Sequence, residues 1–215
     1  LDMKAVKAAA ELINNAKKPL ALVGQGVELG NAQQELVRFL EKADIPAGRT
    51  MLGLSALPST HPLNVGMLGM HGNYAPNLKE QECDVLIAIG MRFSDRVTGN
   101  TKTYAKQAKV IHLDIDHSEI DKCVKADVAV IADCKESLPA LTELINKASH
   151  TGWRESFIPL QKKEYEKVIE PAIHPKDGPL LMGEVVNAVA EATEGDAVLV
   201  TDVGQNQMFG CRYFK

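Results

Sequence analysis

The chain has 215 residues, of which 45% are hydrophobic and 24% are charged, and its formal net charge is −4. This composition is typical of a globular domain, and the acidic balance argues against a nucleic-acid interface, which usually presents a basic face. No apolar run approaches the roughly 20 residues that span a bilayer, and residues 1–18 form a charged amphipathic segment rather than a signal peptide. The length suits one domain, or one domain with part of another.

The cysteine pattern indicates a reducing compartment. The four cysteines, Cys83, Cys123, Cys134 and Cys211, are far apart and form no C-x-x-C pair. Scattered cysteines of this kind are usually free thiols. The expected location is therefore the cytoplasm, or an organelle matrix after removal of a leader.

The first elements predict half of a dinucleotide-binding unit. They are a helix over 3–16, a strand over 20–23 and a helix over 31–43. Gly24, Gly26 and Gly30 lie between the strand and the second helix, where loop amides and a helix N-terminus attract a pyrophosphate. Their spacing is G-x-G-x-x-x-G rather than G-x-G-x-x-G. The alternative is a tight turn in which the glycines adopt positive φ angles.

A long stretch without clear periodicity follows. Residues 45–47 predict a short second strand, and residues 49–54 a flexible loop. Residues 55–77 are rich in glycine, proline and histidine and predict an irregular functional loop. Within it, residues 68–72 would let the backbone approach a flat ring closely.

The segment that organises the chain is a buried strand over 85–89 followed by residues 90–99, here called the arginine loop. Ligands of open α/β sheets bind where strands end, and arginine matches phosphate oxygens in bidentate fashion. Arg92 and Arg96 therefore indicate a phosphate-bearing ligand. The alternative is a solvated loop in which Arg92, Asp95 and Arg96 pair with one another.

Two further strands, over 109–115 and 127–132, precede a helix over 136–148. Asp114, near the end of the first of these strands, is placed to accept hydrogen bonds from ribose hydroxyls. A metal site at His112, Asp114, Asp116 and His117 is disfavoured, because successive residues of a strand point to opposite faces. Alternating strands and helices predict an α/β fold with a doubly wound, mainly parallel sheet and helices on both faces.

The last part of the chain changes character. Residues 151–179 predict a linker that wraps the surface, with a charged helical run over 161–169. A helix over 180–193, a strand over 197–201 and a final helix from residue 202 to the end of the chain then predict the start of a second domain. The predicted divisions are 1–150, 151–179 and 180–215.

Four motifs carry a family resemblance that extends from about residue 3 to residue 215. The arginine loop, G-M-R-F-S-D-R-V-T-G, resembles the G-x-R-F-D-D-R-V-T-G loop of acetohydroxyacid synthase (acetolactate synthase) catalytic subunits. Residues 68–72, L-G-M-H-G, are similar to that family's segment of the same sequence. Residues 112–116, H-L-D-I-D, resemble its H-I-D-I-D strand, and residues 202–209, D-V-G-Q-N-Q-M-F, resemble its D-V-G-Q-H-Q-M-W segment.

The resemblance implies that this chain is an FAD-binding central domain with the beginning of a C-terminal domain that binds thiamine diphosphate. The family uses thiamine diphosphate and Mg²⁺ to decarboxylate pyruvate and join it to a second 2-ketoacid, such as 2-ketobutyrate, for branched-chain amino acids. FAD has no redox role in the net reaction. Its members are homodimers or homotetramers, and a regulatory small subunit is a possible partner.

Carried over by matching position, the FAD contacts fall into five groups along the chain. They are Gly24 and Gly26 at the pyrophosphate; Thr50 and Met51 lining the cofactor; Leu68, Gly69, Met70 and His71 along the flavin; Gly90, Arg92, Asp95, Arg96 and Val97 at the phosphate and ribitol; and Asp114 and Ile115 at the adenosine, with Asp133 and Cys134 beyond them. Gln205 and Asn206 match a Gln-His pair near thiamine diphosphate.

Three residues depart from the family pattern. Ser94 stands where the family has the first aspartate of the loop, Asn206 replaces a histidine, and Phe209 replaces a tryptophan. Asn206 cannot titrate near neutral pH. The family's catalytic glutamate would precede Leu1 and its magnesium motif would follow Lys215, so the chain alone is expected to contain no catalytic residue and no metal ligand, and to be inactive.

Other interpretations remain open at the level of sequence. One is another FAD-containing thiamine enzyme, such as pyruvate oxidase or glyoxylate carboligase. A second is a nicotinamide-dependent dehydrogenase, and a third is a non-catalytic nucleotide-binding module. Only an FAD enzyme needs the flavin end of the ligand, so competition among FAD, ADP and NAD separates these classes.

Overall fold

The structure is a computed structural model that describes residues 1–214; Lys215, the end of the predicted final helix, lies outside the described residues. The chain forms two compact units, one over Leu1–Phe157 and one that begins at Ile158. Within residues 1–214, no helix has the length and apolar character needed to cross a membrane.

The first unit is built on one six-stranded sheet in which every neighbouring pair of strands is parallel. The strands are β1 (Pro19–Val23), β2 (Ala47–Arg49), β3 (Asn64–Met67), β4 (Val85–Ile89), β5 (Lys109–Asp114) and β6 (Val128–Ile131). Their order is β3-β2-β1-β4-β5-β6. This order is that of a doubly wound dinucleotide-binding sheet, so the predicted fold class is confirmed.

Helices connect these strands. They are α1 (Met3–Asn15), α2 (Gly26–Leu29), α3 (Gln33–Ala43), α4 (Tyr74–Lys79), α5 (Asp95–Thr98), α6 (Cys134–Leu144) and α7 (Thr151–Glu155), with 3₁₀ turns at Met51–Ala56 and His117–Glu119. Helix α1 begins at Asp2, whose carboxylate accepts the Lys4 amide at 2.8 Å, and helix α6 begins in the same way at Asp133. These caps satisfy amides that have no partner inside the helix.

The two central strands are apolar throughout because both of their faces are covered. Ala21 and Ile87 point toward one face and join the core that Phe39 of α3 and Leu138 of α6 complete. All five residues of β1 and all five of β4 are buried, so the alternate side chains are also shielded from water on the opposite face. A continuous apolar run is the expected sequence of such a strand.

Helix α7 is attached to the ends of earlier helices and of the sheet. The Trp153 indole N–H donates to the Pro19 carbonyl at 2.8 Å. The ring nitrogens of His150 lie 2.7 Å from the Ala43 carbonyl oxygen and 3.2 Å from the Ala16 carbonyl oxygen. These two carbonyls stand at the ends of α3 and α1, where the helices leave acceptors without a partner.

The prediction that residues 55–77 form an irregular loop is partly wrong, because these residues contain β3 and most of α4. In β3 only Val65 and Met67 are buried, and Gly66 between them has a φ of +111°. Two buried residues in a four-residue edge strand give too short an alternation to recognise. Strand β2 also lies two residues later than predicted, at Ala47–Arg49.

The second unit is helical in its described part. It contains α8 (Ile158–Glu164), a π-helical stretch (Tyr165–Ile169), α9 (Glu170–Ile173), α10 (Met182–Ala192) and α11 (Gln205–Tyr213). Glu164 and Arg212 form an ion pair that joins α8 to α11. The role of residues 151–179 as an interdomain linker, and the three predicted divisions of the chain, stay predictions.

The strand predicted over 197–201 is absent. Val198 and Val200 are 91% and 86% exposed, so neither side chain is packed. A strand is stabilised by hydrogen bonds and side-chain contacts with a neighbouring strand, and the described residues of this unit provide none. The apolar run alone was therefore not sufficient to form one.

Candidate functional site

A cavity of about 680 Å³ lies in the first unit at the edge where the parallel strands end. Its volume falls within the roughly 300–1,000 Å³ of cofactor sites. It is bounded by residues that follow β1, β2, β4, β5 and β6: Gly24, Gln25, Gly26, Leu29, Gly30, Thr50, Met51, Leu52, Gly90, Met91, Arg92, Ser94, Arg96, Val97, Asp114, Ile115, Asp133 and Cys134. The cavity opens between β1 and β4, the point at which the strand order reverses and where dinucleotides bind in such sheets.

Three glycines bring the loops after β1 and β4 into direct backbone contact. The Gly26 amide donates to the Gly90 carbonyl at 2.9 Å, and Gly90 has a φ of +56°. A Cβ atom on Gly26 would lie 2.7 Å from the Gly90 Cα, and one on Gly24 would overlap the Gly90 carbonyl oxygen. The floor of the cavity is therefore main chain.

The alternative interpretation of the glycine loop, a turn with positive φ angles, is wrong. Among the residues of this loop, Gly24, Gly26 and Gly30 all have negative φ, and Gly30 is at −82°. These glycines are needed because other atoms approach them closely. A Cβ atom on Gly30 would lie 2.6 Å from the Asp133 carboxylate oxygen.

The arginine loop supplies positive charge to one part of the cavity. Arg92 and Arg96 both line it and are exposed. Arg96 lies 3.5 Å from the Asp95 carboxylate, but no carboxylate among residues 1–214 pairs with Arg92. The predicted pairing of all three residues is thus only partly formed. An unpaired guanidinium at a cavity wall is suited to an anionic ligand.

The end of β5 and the loop after β6 supply acceptors. One Asp114 carboxylate oxygen accepts the Asp116 amide at 2.9 Å, and one Asp133 oxygen accepts the Lys135 amide at 2.7 Å. These bonds fix both side chains at the cavity wall. Cys134 beside them is buried, and burial, with the carboxylates of Asp133 and Asp114 nearby, raises the pKa of its thiol to about 12. Cys134 is therefore a neutral wall residue and not a nucleophile.

Apolar side chains surround the mouth of the cavity. Leu29 is 75% exposed, Leu52 is 58% exposed and Ile115 is 69% exposed, although all three line the cavity. Large apolar side chains grouped around an opening are typical of a surface that a ligand or partner covers. This arrangement suits a ligand that combines flat rings with charged groups.

The predicted site residues fall into three groups in the structure. Those that line the cavity are Gly24, Gly26, Thr50, Met51, Gly90, Arg92, Arg96, Val97, Asp114, Ile115, Asp133 and Cys134. Those outside the lining are Asp95, which points to solvent, and residues 68–71. Gln205 and Asn206 begin α11 in the second unit, where the Asn206 side chain accepts the Gln207 amide at 2.9 Å.

Residues 68–71 lie directly behind the arginine loop. The Met70 amide donates to the Arg96 carbonyl at 2.7 Å. Asn77 makes two hydrogen bonds with the backbone of Gly69, at 2.8 and 2.9 Å. Leu68 is buried, whereas Met70 is largely exposed. The segment therefore supports the cavity, and its predicted contact with a flavin ring stays a prediction.

Several lining residues were not predicted as ligand contacts: Gln25, Leu29, Gly30, Leu52, Met91 and Ser94. Each lies within about seven residues of the end of a predicted strand, so the rule that ligands bind at strand ends would have included them. The disfavoured metal cluster is also not assembled. Residues 1–214 contain no group of three or more His, Cys, Asp or Glu side chains placed to hold a metal ion.

Comparison with known families identifies the family to which this fold and cavity belong. Residues 6–141 match the family described as "Thiamine pyrophosphate enzyme, central domain". This match covers more than half of the chain and includes every strand of the sheet. The chain belongs to this family. All residues that line the cavity lie within the part of the chain that matches the family. In this thiamine pyrophosphate enzyme central domain, the cavity lies where the strand order of the sheet reverses.

Individual relatives of this central domain have consistent names. A probable acetolactate synthase large subunit of Methanocaldococcus jannaschii is 42% identical over 98% of the chain. The acetolactate synthase large subunit of Lactococcus lactis is 38% identical over 93% of the chain, and the isozyme 1 large subunit of Escherichia coli is 38% identical over 96%. The chain spans about a third of the length of these relatives, with shares of 36%, 34% and 35%.

Proposed function

We propose that this chain is the nucleotide-binding central domain of an acetolactate synthase large subunit, and that its cavity holds FAD. The observation that carries the proposal is the unpaired Arg92 on one part of the cavity wall and the fixed carboxylates of Asp114 and Asp133 on another. A dinucleotide presents phosphates to the first and sugar hydroxyls to the second. The names of the relatives support the enzyme class.

The residues present fit FAD in two respects. The backbone floor at Gly24, Gly26 and Gly90 leaves room for a pyrophosphate, because no side chain projects there. The exposed apolar rim, Leu29 and Ile115 among it, suits the two flat ring systems of the cofactor. We propose that FAD is a structural ligand and has no redox role in the net reaction.

The remaining parts of the proposal concern the full-length enzyme. It would use thiamine diphosphate and Mg²⁺ to join pyruvate to a second 2-ketoacid such as 2-ketobutyrate, in the synthesis of isoleucine and valine. In this chain, Gln205 and Asn206 are the residues proposed to lie near thiamine diphosphate. The relatives' designation as large subunits supports a small-subunit partner, and we propose a homodimer or homotetramer.

The proposed compartment is the cytoplasm. All four cysteines of the chain are free, and two of them, Cys83 and Cys134, are buried. Buried free thiols are common in proteins of reducing compartments. The distribution of a tagged full-length protein between cell fractions tests this part of the proposal directly.

The test of ligand binding is a titration of the purified chain with FAD, with ADP and NAD as competitors. Trp153, the one tryptophan of the chain, and flavin fluorescence both provide a signal. FAD binding that ADP weakens only partly is the expected result, since both ends of the cofactor are then used. Equal or tighter binding of NAD would instead identify a nicotinamide site.

Variants locate the site. Arg92→Gln should weaken FAD binding about tenfold, the effect of one charge-assisted hydrogen bond. Arg38→Gln removes an exposed arginine of α3 that does not line the cavity and is the matched control. Ser94→Asp places a carboxylate at the cavity wall and tests whether serine there has altered the affinity. Equal affinity of Arg92→Gln and the unaltered chain would contradict the proposed orientation.

A further inference from the structure

The arginine loop alternates between buried and more exposed residues. Met91 and Phe93 are each only 4% exposed, whereas Arg92 and Ser94 are more exposed and line the cavity. Met91 also reaches the cavity wall, but Phe93 does not, so its ring packs inside the protein and anchors the backbone that carries Arg92. Since Phe93 directly follows Arg92, residues that hold the Phe93 ring in place also hold the backbone of Arg92 in place.

Two side chains hold the Phe93 ring, each edge-on. The His112 ring is 5.0 Å from it at an angle of 71°, and the Tyr104 ring is 6.1 Å from it at 69°. Aromatic rings in this arrangement attract each other beyond simple burial. His112 comes from β5 and Tyr104 from the segment after the loop, so the ring is held by two separate parts of the chain.

His112 also binds the loop backbone. Its Nε2 lies 2.9 Å from the Met91 carbonyl oxygen, and because a carbonyl only accepts, Nε2 carries the proton. The side chain is completely buried, and its Nδ1 has no partner within the described residues. A buried histidine that leaves one nitrogen unsatisfied bears a cost, and the bond to Met91 is the contact that offsets it.

Tyr104 is itself fixed to α4. Its hydroxyl donates to the Glu80 carboxylate at 3.2 Å. Three residues further on, the Gln107 side chain donates to the carbonyls of Glu80 and Cys83, both at 3.0 Å. The segment that leaves the arginine loop is thus attached to the end of a helix and is not free to move with the loop.

We propose that His112 and Tyr104 are positioning residues of the ligand cavity. Together they hold Phe93 and the Met91 carbonyl, and so set where Arg92 meets the anionic part of the ligand. Neither residue lines the cavity. Tyr104 acts through the loop, and His112 acts through the loop and also lies 3.8 Å from the lining carboxylate of Asp114. The inference rests on the proposed nucleotide-binding function.

The test compares a disruptive and a conservative variant at each position. His112→Leu removes the donor to Met91, whereas His112→Gln keeps an amide N–H that can replace it. Tyr104→Leu removes the ring from Phe93, whereas Tyr104→Phe keeps it. The leucine variants should bind FAD and ADP about tenfold more weakly, the effect of one lost contact, and the conservative variants should restore most of the affinity.

Amide hydrogen exchange without ligand distinguishes positioning from general destabilisation. The leucine variants should exchange faster over residues 90–99 and at the unaltered rate over residues 20–23 of β1. Faster exchange in both segments, or unchanged exchange over 90–99, would overturn the proposal. If a leucine variant does not fold, Phe93→Leu replaces it, because this variant removes the ring that His112 and Tyr104 contact and keeps an apolar side chain. Its hydrogen exchange over residues 90–99 and 20–23 is then compared in the same way.

The exchange result also separates this inference from the proposed function. A chain that binds neither FAD nor ADP would refute the ligand assignment alone. Faster exchange confined to residues 90–99 in the leucine variants would still show that His112 and Tyr104 fix the loop. Full affinity in both leucine variants would refute positioning while leaving the ligand assignment intact.

Discussion

Glu80 gives the first unit a stability that should decrease with rising pH. The residue is only 6% exposed, and burial raises the pKa of its carboxyl group from the ordinary value of 4.5 to about 7, although hydrogen bonds from Tyr104 and Gln81 act in the opposite direction. Since each pKa unit corresponds to about 1.4 kcal/mol, ionising Glu80 costs about 3 kcal/mol more in the folded chain than in the unfolded chain.

The direction follows from proton binding. Between pH 4.5 and about pH 7, Glu80 holds a proton in the folded chain but not in the unfolded chain. Stability therefore falls with rising pH over this window. The contribution is complete below the unfolded pKa and is lost as the pH rises through the folded pKa.

Glu80→Gln isolates this effect. The amide has nearly the same volume, carries no charge at any pH, and keeps an oxygen that can accept the Tyr104 hydroxyl. Glu80 is already partly ionised in the unfolded chain at pH 5, so between pH 5 and pH 8 the variant should gain about 2–3 kcal/mol of stability relative to the unaltered chain. Urea unfolding followed by Trp153 fluorescence reports on the same compact unit.

The difference between variant and unaltered chain, measured from pH 5 to pH 8.5, removes the contribution of all other titrating groups. Glu143→Gln, on an exposed position of α6, is the matched control and should give a nearly constant difference. A constant difference for Glu80→Gln as well, or a variant that is less stable at pH 8, would refute the reasoning.

Three further outcomes are expected. Gly26→Ala should destabilise the first unit by about 1–3 kcal/mol in urea unfolding, because its Cβ would lie 2.7 Å from the Gly90 Cα; an unchanged midpoint would contradict the backbone contact. A thiol reagent should modify exposed Cys123 rapidly and leave buried Cys134 unmodified until unfolding, as peptide mapping would show. His150→Ala should cost about 1–3 kcal/mol by removing the ring that lies between two helix-end carbonyl oxygens and donates its N–H to one of them, and an unaltered thermal midpoint would exclude that role.

The sheet and its ligand edge could be predicted because both depend on local patterns. The apolar run over 85–89 marks a strand that is buried on both faces, and the structure forms β4 over the same residues. Once the strands were placed, the parallel arrangement brought Arg92 and Asp114 to one edge from positions 22 residues apart in the chain, as their numbers in the sequence show. The alternation of strands and helices predicted a parallel, doubly wound sheet, whereas the order of its six strands came from the structure.

Features that depend on contacts between distant residues could not be predicted. The close approach of Gly26 to Gly90 leaves no signal in either segment alone, so the glycine loop was interpreted from its own spacing. The edge strand β3 was too short for its alternation to be recognised, and the apolar run at Val198 has no neighbouring strand among the described residues to pair with. In each case the deciding partner lies elsewhere in the chain.

The backbone floor of the cavity limits how its selectivity could be redesigned. The amides of Gly24, Gly26 and Gly90 are already hydrogen-bonded within the protein, and a Cβ atom on any of the three would overlap backbone atoms of the facing loop, so these positions do not accept other residues. Discrimination between one dinucleotide and another must therefore come from the rim. Leu29 and Ile115, which make few contacts of their own, are the positions where a library of substitutions could change ligand preference at little cost to folding.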